Sequence, residues 1–210
     1  MAVARQRQVS WKRPFDLVVG GSATLLLLPL LAVLAVLVKA DSPGPILFRQ
    51  ERVGLDGARF KMWKFRSMRH NSDERTHRAS AIAWFAGQTA AGPYKPLADS
   101  RVTRVGRFLR RTSLDELPQL FNVLRGDMSL VGPRPAIAYE LEHYLPWYFE
   151  RQMVKPGMTG LWQVSGRTEL SAGEMMALDV RYVREAGLGL DLKILALTVP
   201  ALLGLSSAGA

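Results

Sequence analysis

The sequence predicts an α+β protein: an N-terminal re-entrant membrane helix-break-helix, a small β-hairpin, and a mainly helical domain with amphipathic interfacial helices. Three observations predict it. Residues 17–38 run for 22 positions without an ionisable side chain, with Pro29 near the middle. Two short β-rich runs flank the turn Gly54-Leu55-Asp56-Gly57. Beyond residue 100, apolar residues recur at helical spacing, and one such segment is studded with arginines.

The apolar run comes first. At about 1.5 Å per residue, a helix of this length just crosses a hydrocarbon core of about 30 Å. An interior proline removes a backbone hydrogen bond and clashes one turn back, at about 3 kcal/mol. The halves, 17–28 and 30–38, are each too short to span. A kinked helix that crosses and a broken helix that dips in and returns both remain. Arg5, Arg7, Lys12 and Arg13 precede the run, and Lys39, Arg49 and Arg52 follow it. Basic flanks stay on the cytoplasmic side, so cationic flanks at both ends favour the re-entrant form. A cleaved signal peptide fits poorly, because no small-x-small site directly ends the run. The expected division is a membrane anchor at 1–42 and a second domain at 43–210 on the cytoplasmic face.

Composition narrows the chemistry. The chain has 210 residues, and about 170 outside the anchor suit one compact domain. It has no cysteine, which excludes disulfides and thiolate metal sites. His70, His77 and His143 form no ligand-spaced cluster. A net charge of +10 suits an anionic membrane surface, a phosphorylated substrate or nucleic acid. Nucleic acid is the weakest of these, since no recognised binding motif accompanies the charge.

After a turn cluster at 41–45, residues 46–53 and 58–68 read as strands. Phe60, Met62, Lys64 and Arg66 share one face of the second strand, which turns from apolar to basic. Residues 69–100 lack steady periodicity and read as a long loop with short helical pieces. In 101–111, Arg101, Arg104, Arg107 and Arg111 line one side of a helix suited to a membrane surface or phosphates.

A second helix follows, with an apolar stripe at Leu117, Leu120, Phe121 and Leu124 and a stop at Arg125-Gly126. Starting it at Asp115 puts Pro118 at the third helical position, where its missing N–H is harmless. That register sets the Asp115 carboxylate on the positive helix end. Gly132-Pro133-Arg134-Pro135 is a stiff turn. Residues 136–153 predict an aromatic-rich helix disturbed at Pro146, and 155–160 a loop. Ser171 and Glu174 open a helix with a capping box that ends near Gly187. Residues 194–205 are too short to span and read as an interfacial or core helix.

Asp115 and Glu116 follow Arg110 and Arg111 after only Thr112-Ser113-Leu114. Two acids in a first helical turn can simply complement the dipole. On that reading the chain is a membrane-anchored binding or scaffold protein. The cationic helix leading in and the Pro-Arg-Pro turn beyond argue for more. Carboxylate nucleophiles attack phosphorus to form acyl phosphates, and such chemistry needs arginines and a metal ion beside the phosphates.

The motifs, in order, are Lys12-Arg13-x-x-Asp16, the proline-centred apolar run, Phe48-Arg49-Gln50-Glu51-Arg52-Val53-Gly54, Lys64-Phe65-Arg66-Ser67-Met68, Ser113-Leu114-Asp115-Glu116-Leu117-Pro118-Gln119, residues 126–135 (GDMSLVGPRP) and residues 155–164 (KPGMTGLWQV). This series resembles the bacterial sugar transferases, monotopic polyprenyl-phosphate phosphoglycosyl transferases that begin exopolysaccharide, O-antigen or glycan assembly. The likeness extends from about residue 11 to about residue 200.

It implies a two-step transfer of hexose-1-phosphate from a UDP-sugar to polyprenyl (undecaprenyl) phosphate. Asp115 would be the nucleophile and Glu116 its partner, the pair holding Mg2+. Arg134, between Pro133 and Pro135, would hold the nucleotide and Arg110 a phosphate, with Lys64 and Arg66 as further candidates. The loop at 69–100 leans toward UDP-glucose or UDP-galactose. The implied setting is the cytoplasmic face of the bacterial inner membrane, in contact with lipid; a homodimer is allowed and nucleic acid is not a partner. Two departures from the family pattern stand out: Leu28 replaces the usual serine before Pro29, and residues 185–189 lack a tryptophan often found there.

Overall fold

A computed structural model describes residues 10–69, 75–85, 99–166 and 170–202. Helix α1, Lys12–Asp41, is one continuous element that passes through Pro29. The expected break at Pro29 therefore falls inside one helical element, where an interior proline kinks a helix without ending it. Proline removes one hydrogen bond but its fixed φ is helical, and apolar helix formers on both sides carry the helix across.

Both ends of α1 are clamped to the same body. At its start, the Lys12 ammonium donates to the Val131 carbonyl and the Tyr182 hydroxyl, each at 2.8 Å, and pairs with Asp191. Arg13 donates to the carbonyls of Val123 and Leu124 at 2.6 and 2.7 Å. Asp16, buried, accepts from the Ser129 hydroxyl and the Leu130 N–H. At its far end, Asp41 accepts from the Val105 N–H at 3.1 Å. Between these clamps Gly20, Thr24, Leu31, Leu34 and Val38 face the protein, while Val18, Leu25, Leu26, Val33 and Val36 face away, Leu26 being 81% exposed. An apolar face of this extent in water is strongly unfavourable. By length and composition α1 can cross a membrane.

Strands β1, Leu47–Val53, and β2, Arg59–Phe65, pair antiparallel from Leu47↔Phe65 to Val53↔Arg59, as the sequence predicts. Asp56 and Gly57 take left-handed φ values of 51° and 78° to close the turn. β2 ends three residues earlier than expected; the Arg66 N–H still donates to the Ile46 carbonyl, while its side chain reaches the end of α1. The stretch 69–100 contains helix α2, Arg75–Phe85, and much of the remainder lies outside the described residues.

Helix α3, Arg104–Thr112, is capped by the Thr103 hydroxyl, which accepts from the Gly106 N–H. Arg104, Arg107, Phe108 and Arg111 are exposed and Leu109 is fully buried, so the cationic face is real. Arg101 is not part of it: it precedes the helix and pairs with Asp99 at 2.6 Å. That hydrogen-bonded pairing holds the Asp99 carboxyl down at about 2, with Arg110 adding to the effect.

Ser113 then adopts φ 56°, and residues Leu114–Glu116 form a separate 3-10 turn. Helix α4 is Gln119–Arg125, with Pro118 as its cap. The predicted start at Asp115 is thus corrected. The turn closes on i to i+3 bonds, Glu116 N–H to the Ser113 carbonyl and Leu117 N–H to the Leu114 carbonyl. Proline, with no N–H to give, begins the α-helical ladder afterwards.

Strands β3, Ser129–Val131, and β4, Gly157–Thr159, pair in parallel, the second lying in the stretch 155–160 expected as a loop. Glycine makes this possible: a Cβ on Gly157 would lie 2.1 Å from the Gly132 nitrogen. Residues 136–153 are two 3-10 stretches, Ala138–His143 and Pro146–Met153, not one α-helix. The extended residues Tyr144 and Leu145 separate them, and Pro146 starts the second, where it needs no N–H donor. Short helix α5, Leu161–Val164, leads to α6, Ala172–Glu185, which carries the expected Ser171–Glu174 capping box. Helix α7, Leu188–Leu202, closes the chain's described part. The main core gathers Met62, Leu120, Val123, Met128, Leu130, Val131, Tyr182 and Ile194.

Candidate active site

The tight turn between α3 and α4 presents the two acids. Asp115 is 4% exposed. Glu116 receives the Lys64 ammonium at 2.6 Å on one carboxylate oxygen and the Gln119 amide on the other. Lys64 comes from β2, and a single side chain fixes that strand against α4. The wholly buried Asn122 accepts from the Trp63 N–H at 3.0 Å and donates to the Lys61 carbonyl at 2.8 Å, closing the outer edge of β2. Asn122 also donates to Asp127. Strand, turn and helix thereby form one rigid frame around Glu116.

Arg110 lies in the last turn of α3, and one of its terminal nitrogens is buried without a hydrogen-bond partner among the described residues. Buried donors of this kind are rare and mark places where an anionic oxygen can be received. Arg134 stands on the turn flanked by the buried prolines Pro133 and Pro135, with its guanidinium on Glu140 at 3.2 Å. Behind it, Arg151 pairs with Asp179 at 2.5 Å. The sequence expectation for Arg66 is not supported. Its guanidinium is buried and donates to the carbonyls of Val38, Ser42 and Pro45, so it fixes the far end of α1 instead of facing a ligand.

The structure therefore brings Lys64 and Glu116 into contact beside Asp115, with Arg110 five positions upstream in the chain, and gives Arg134 its own ionic cluster. Sequence reasoning missed Gln119, Asn122, Glu140, Arg151 and Asp179. Asn122 carried a signal: it is a polar residue inside the apolar run Leu120-Phe121-Asn122-Val123-Leu124.

The donor set can be tested against a divalent cation. Among the described residues no group of three or more acids or histidines could hold a metal. Mg2+ commonly binds through one or two carboxylates plus substrate phosphates, keeping several waters. Asp115 and Glu116 fit that sparse mode and not a cage made by protein alone.

The family model for bacterial sugar transferases matches residues 7–204. The UDP-galactose-lipid carrier transferase of Erwinia amylovora is 48% identical over 197 residues, covering 90% of this chain and 39% of that protein. The undecaprenyl-phosphate galactose phosphotransferase of Salmonella typhimurium is 46% identical, over 88% of this chain and 38% of its own length. The UDP-glucose:undecaprenyl-phosphate glucose-1-phosphate transferase of Caulobacter vibrioides is 45% identical, over 91% of this chain and 69% of its own. The chain thus spans well under half the length of the first two relatives and over two thirds of the third.

Proposed function

The chain belongs to the bacterial sugar transferase family, and from that premise we propose that it transfers a hexose-1-phosphate from a UDP-sugar to polyprenyl phosphate. One carboxylate oxygen of Asp115 attacks the sugar-linked phosphorus. The bond from that phosphorus to the bridging oxygen breaks, and UMP leaves with the electron pair. The phosphosugar is then an acyl phosphate on Asp115. An oxygen of polyprenyl phosphate attacks the same phosphorus, the bond to Asp115 breaks, and polyprenyl-diphosphate-sugar leaves with the carboxylate restored.

The observation that carries this reading is the geometry of the turn: a buried aspartate fixed next to a glutamate that is itself held by Lys64 and Gln119. A phosphate monoester has its second pKa near about 6, so the acceptor is already an anion at neutral pH and needs little help from a base. That favours Glu116 as a charge-holding partner of Asp115 over a proton acceptor. Asp115 and Glu116 are the residues that would hold Mg2+, whose charge offsets that of the diphosphate. Arg110, with its unpartnered buried nitrogen, would receive a phosphate oxygen, and Arg134 the nucleotide.

Relatives named for UDP-glucose and UDP-galactose chemistry support a hexose donor. The double clamp on α1 supports an anchor that enters and leaves the bilayer at one face, since both of its ends are tied to one body. The site would then sit at the cytoplasmic face of the inner membrane, where a soluble nucleotide sugar meets a lipid-borne phosphate.

The test is UMP release by purified protein supplied with Mg2+, polyprenyl phosphate and a panel of UDP-sugars. Asp115→Asn is expected to abolish release even without acceptor, and mass spectrometry of the unsubstituted protein should find a phosphosugar on Asp115. Near-normal release by Asp115→Asn would overturn the covalent route.

A further inference from the structure

Behind the Pro133-Arg134-Pro135 turn lies a buried ionic cluster that the proposed reaction does not use. Glu140 and Asp179 are fully buried and Arg151 is nearly so. The four charges of Arg134, Glu140, Arg151 and Asp179 come from the turn, the two 3-10 stretches and α6. Taking such ions out of water is unfavourable, and well-packed apolar residues of equal volume are often as stable. Stability alone is thus a poor account of the cluster.

Its bonds converge on Arg134. Glu140 takes the Arg134 guanidinium on both carboxylate oxygens, at 3.2 and 3.3 Å, while also accepting from the Ile137 N–H. Arg151 donates to the Arg134 carbonyl at 2.6 Å. Asp179 and the Tyr144 hydroxyl in turn hold the Arg151 guanidinium, each at 2.5 Å. Prolines on both sides restrict the backbone of the turn. The root, carbonyl and head of one side chain are all fixed. Arginine carries five N–H donors in a rigid fork, so the grip of Glu140 does not exhaust it.

We propose that Glu140 and Arg151, backed by Asp179 and Tyr144, are positioning residues that aim Arg134 at the anionic diphosphate of the nucleotide-sugar donor. The proposal rests on the reading above in which Arg134 contacts the donor nucleotide. Pre-aligned guanidinium donors bind the donor equally before and during reaction, which governs KM more than kcat.

The experiment is a double-mutant cycle on steady-state UMP release. Glu140→Gln keeps the shape but removes the charge that grips Arg134, and should raise KM for the UDP-sugar about tenfold with kcat little changed. Arg134→Lys should raise KM at least as much. Combining them should give a KM no higher than Arg134→Lys alone, because both act through one guanidinium. If Glu140→Gln has the same effect with lysine at 134 as with arginine, or no effect on KM, the positioning role is wrong. If Arg134→Lys itself leaves KM unchanged, the reading of Arg134 fails and this proposal with it. Should Glu140→Gln not fold, Tyr144→Phe, which removes one acceptor from Arg151 and leaves both ion pairs, carries the same cycle.

Discussion

Replacing Asn122 by alanine should damage the site without touching any residue proposed to meet substrate. The amide of Asn122 is the partner of the Trp63 N–H and the Lys61 carbonyl along the outer edge of β2. An unsatisfied buried polar group costs about 1–3 kcal/mol. Lys61 is exposed, so its carbonyl regains water, whereas the half-buried Trp63 N–H recovers less. Adding the small cavity left by the amide, the expected loss is about 2–4 kcal/mol. For a chain of this size that lowers the melting temperature by roughly 5–12 °C. The strand that loosens is the one that carries Lys64 to Glu116. UMP release measured well below both melting points should therefore fall too. Asn122→Asp retains the acceptor for Trp63 but sets a second carboxylate beside Asp127, and should rank between alanine and the natural residue. A variant Asn122→Ala that melts within about 2 °C of the parent and turns over at full rate would refute the account of the frame.

Three further outcomes follow from the same geometry. Lys64→Met, which deprives the largely buried Glu116 carboxylate of its cation, should cut UMP release strongly and also lower the melting temperature; equal activity would show that the pair is ornamental. Gly157→Ala should prevent folding or lower the melting temperature severely, because its new methyl group meets only backbone atoms, while Gly189→Ala, with nothing within 4 Å, serves as the neutral control. Burial pushes the Asp179 carboxyl up from 3.8 to about 6, against the pull of Arg151 and Arg134. The folded chain therefore holds that proton more tightly than the unfolded one. The stability this contributes is complete below the unfolded value and vanishes as pH rises through the folded one. The melting temperature of the parent minus that of Asp179→Asn should accordingly shrink between about pH 4 and pH 6.5, and a difference that grows instead would contradict the assignment.

The hairpin and the long apolar helix were legible because their causes are local: a Gly-Leu-Asp-Gly turn between β-rich runs, and a long uncharged stretch. The capping box at Ser171 and Glu174 is equally local. Local rules failed at Asp115, where two helices meet. The left-handed Ser113 and a proline without an N–H make a 3-10 turn, while the apolar stripe from Leu117 onward suggested one unbroken helix. They failed again at residues 136–153, whose aromatic spacing looks helical but which Pro146 and the extended residues Tyr144 and Leu145 split. The glutamate at 140, the arginine at 151 and the aspartate at 179 meet only through tertiary structure, so no spacing rule could pair them. Arg66 shows the converse. Its place on a basic strand face suggested a ligand, and only the fold reveals that α1 ends within its reach.

The two footings of α1 make the helix a ruler. From Asp16 to Val38 it measures about 33 Å along its axis, and each footing accepts only one rotational setting. Inserting a single residue midway would swing one foot by about 100° and pull Val38 or Lys12 out of its socket. Swapping one aliphatic side chain for another on the outward face would change nothing at either foot. The helix should therefore tolerate wide variation in composition and almost none in length.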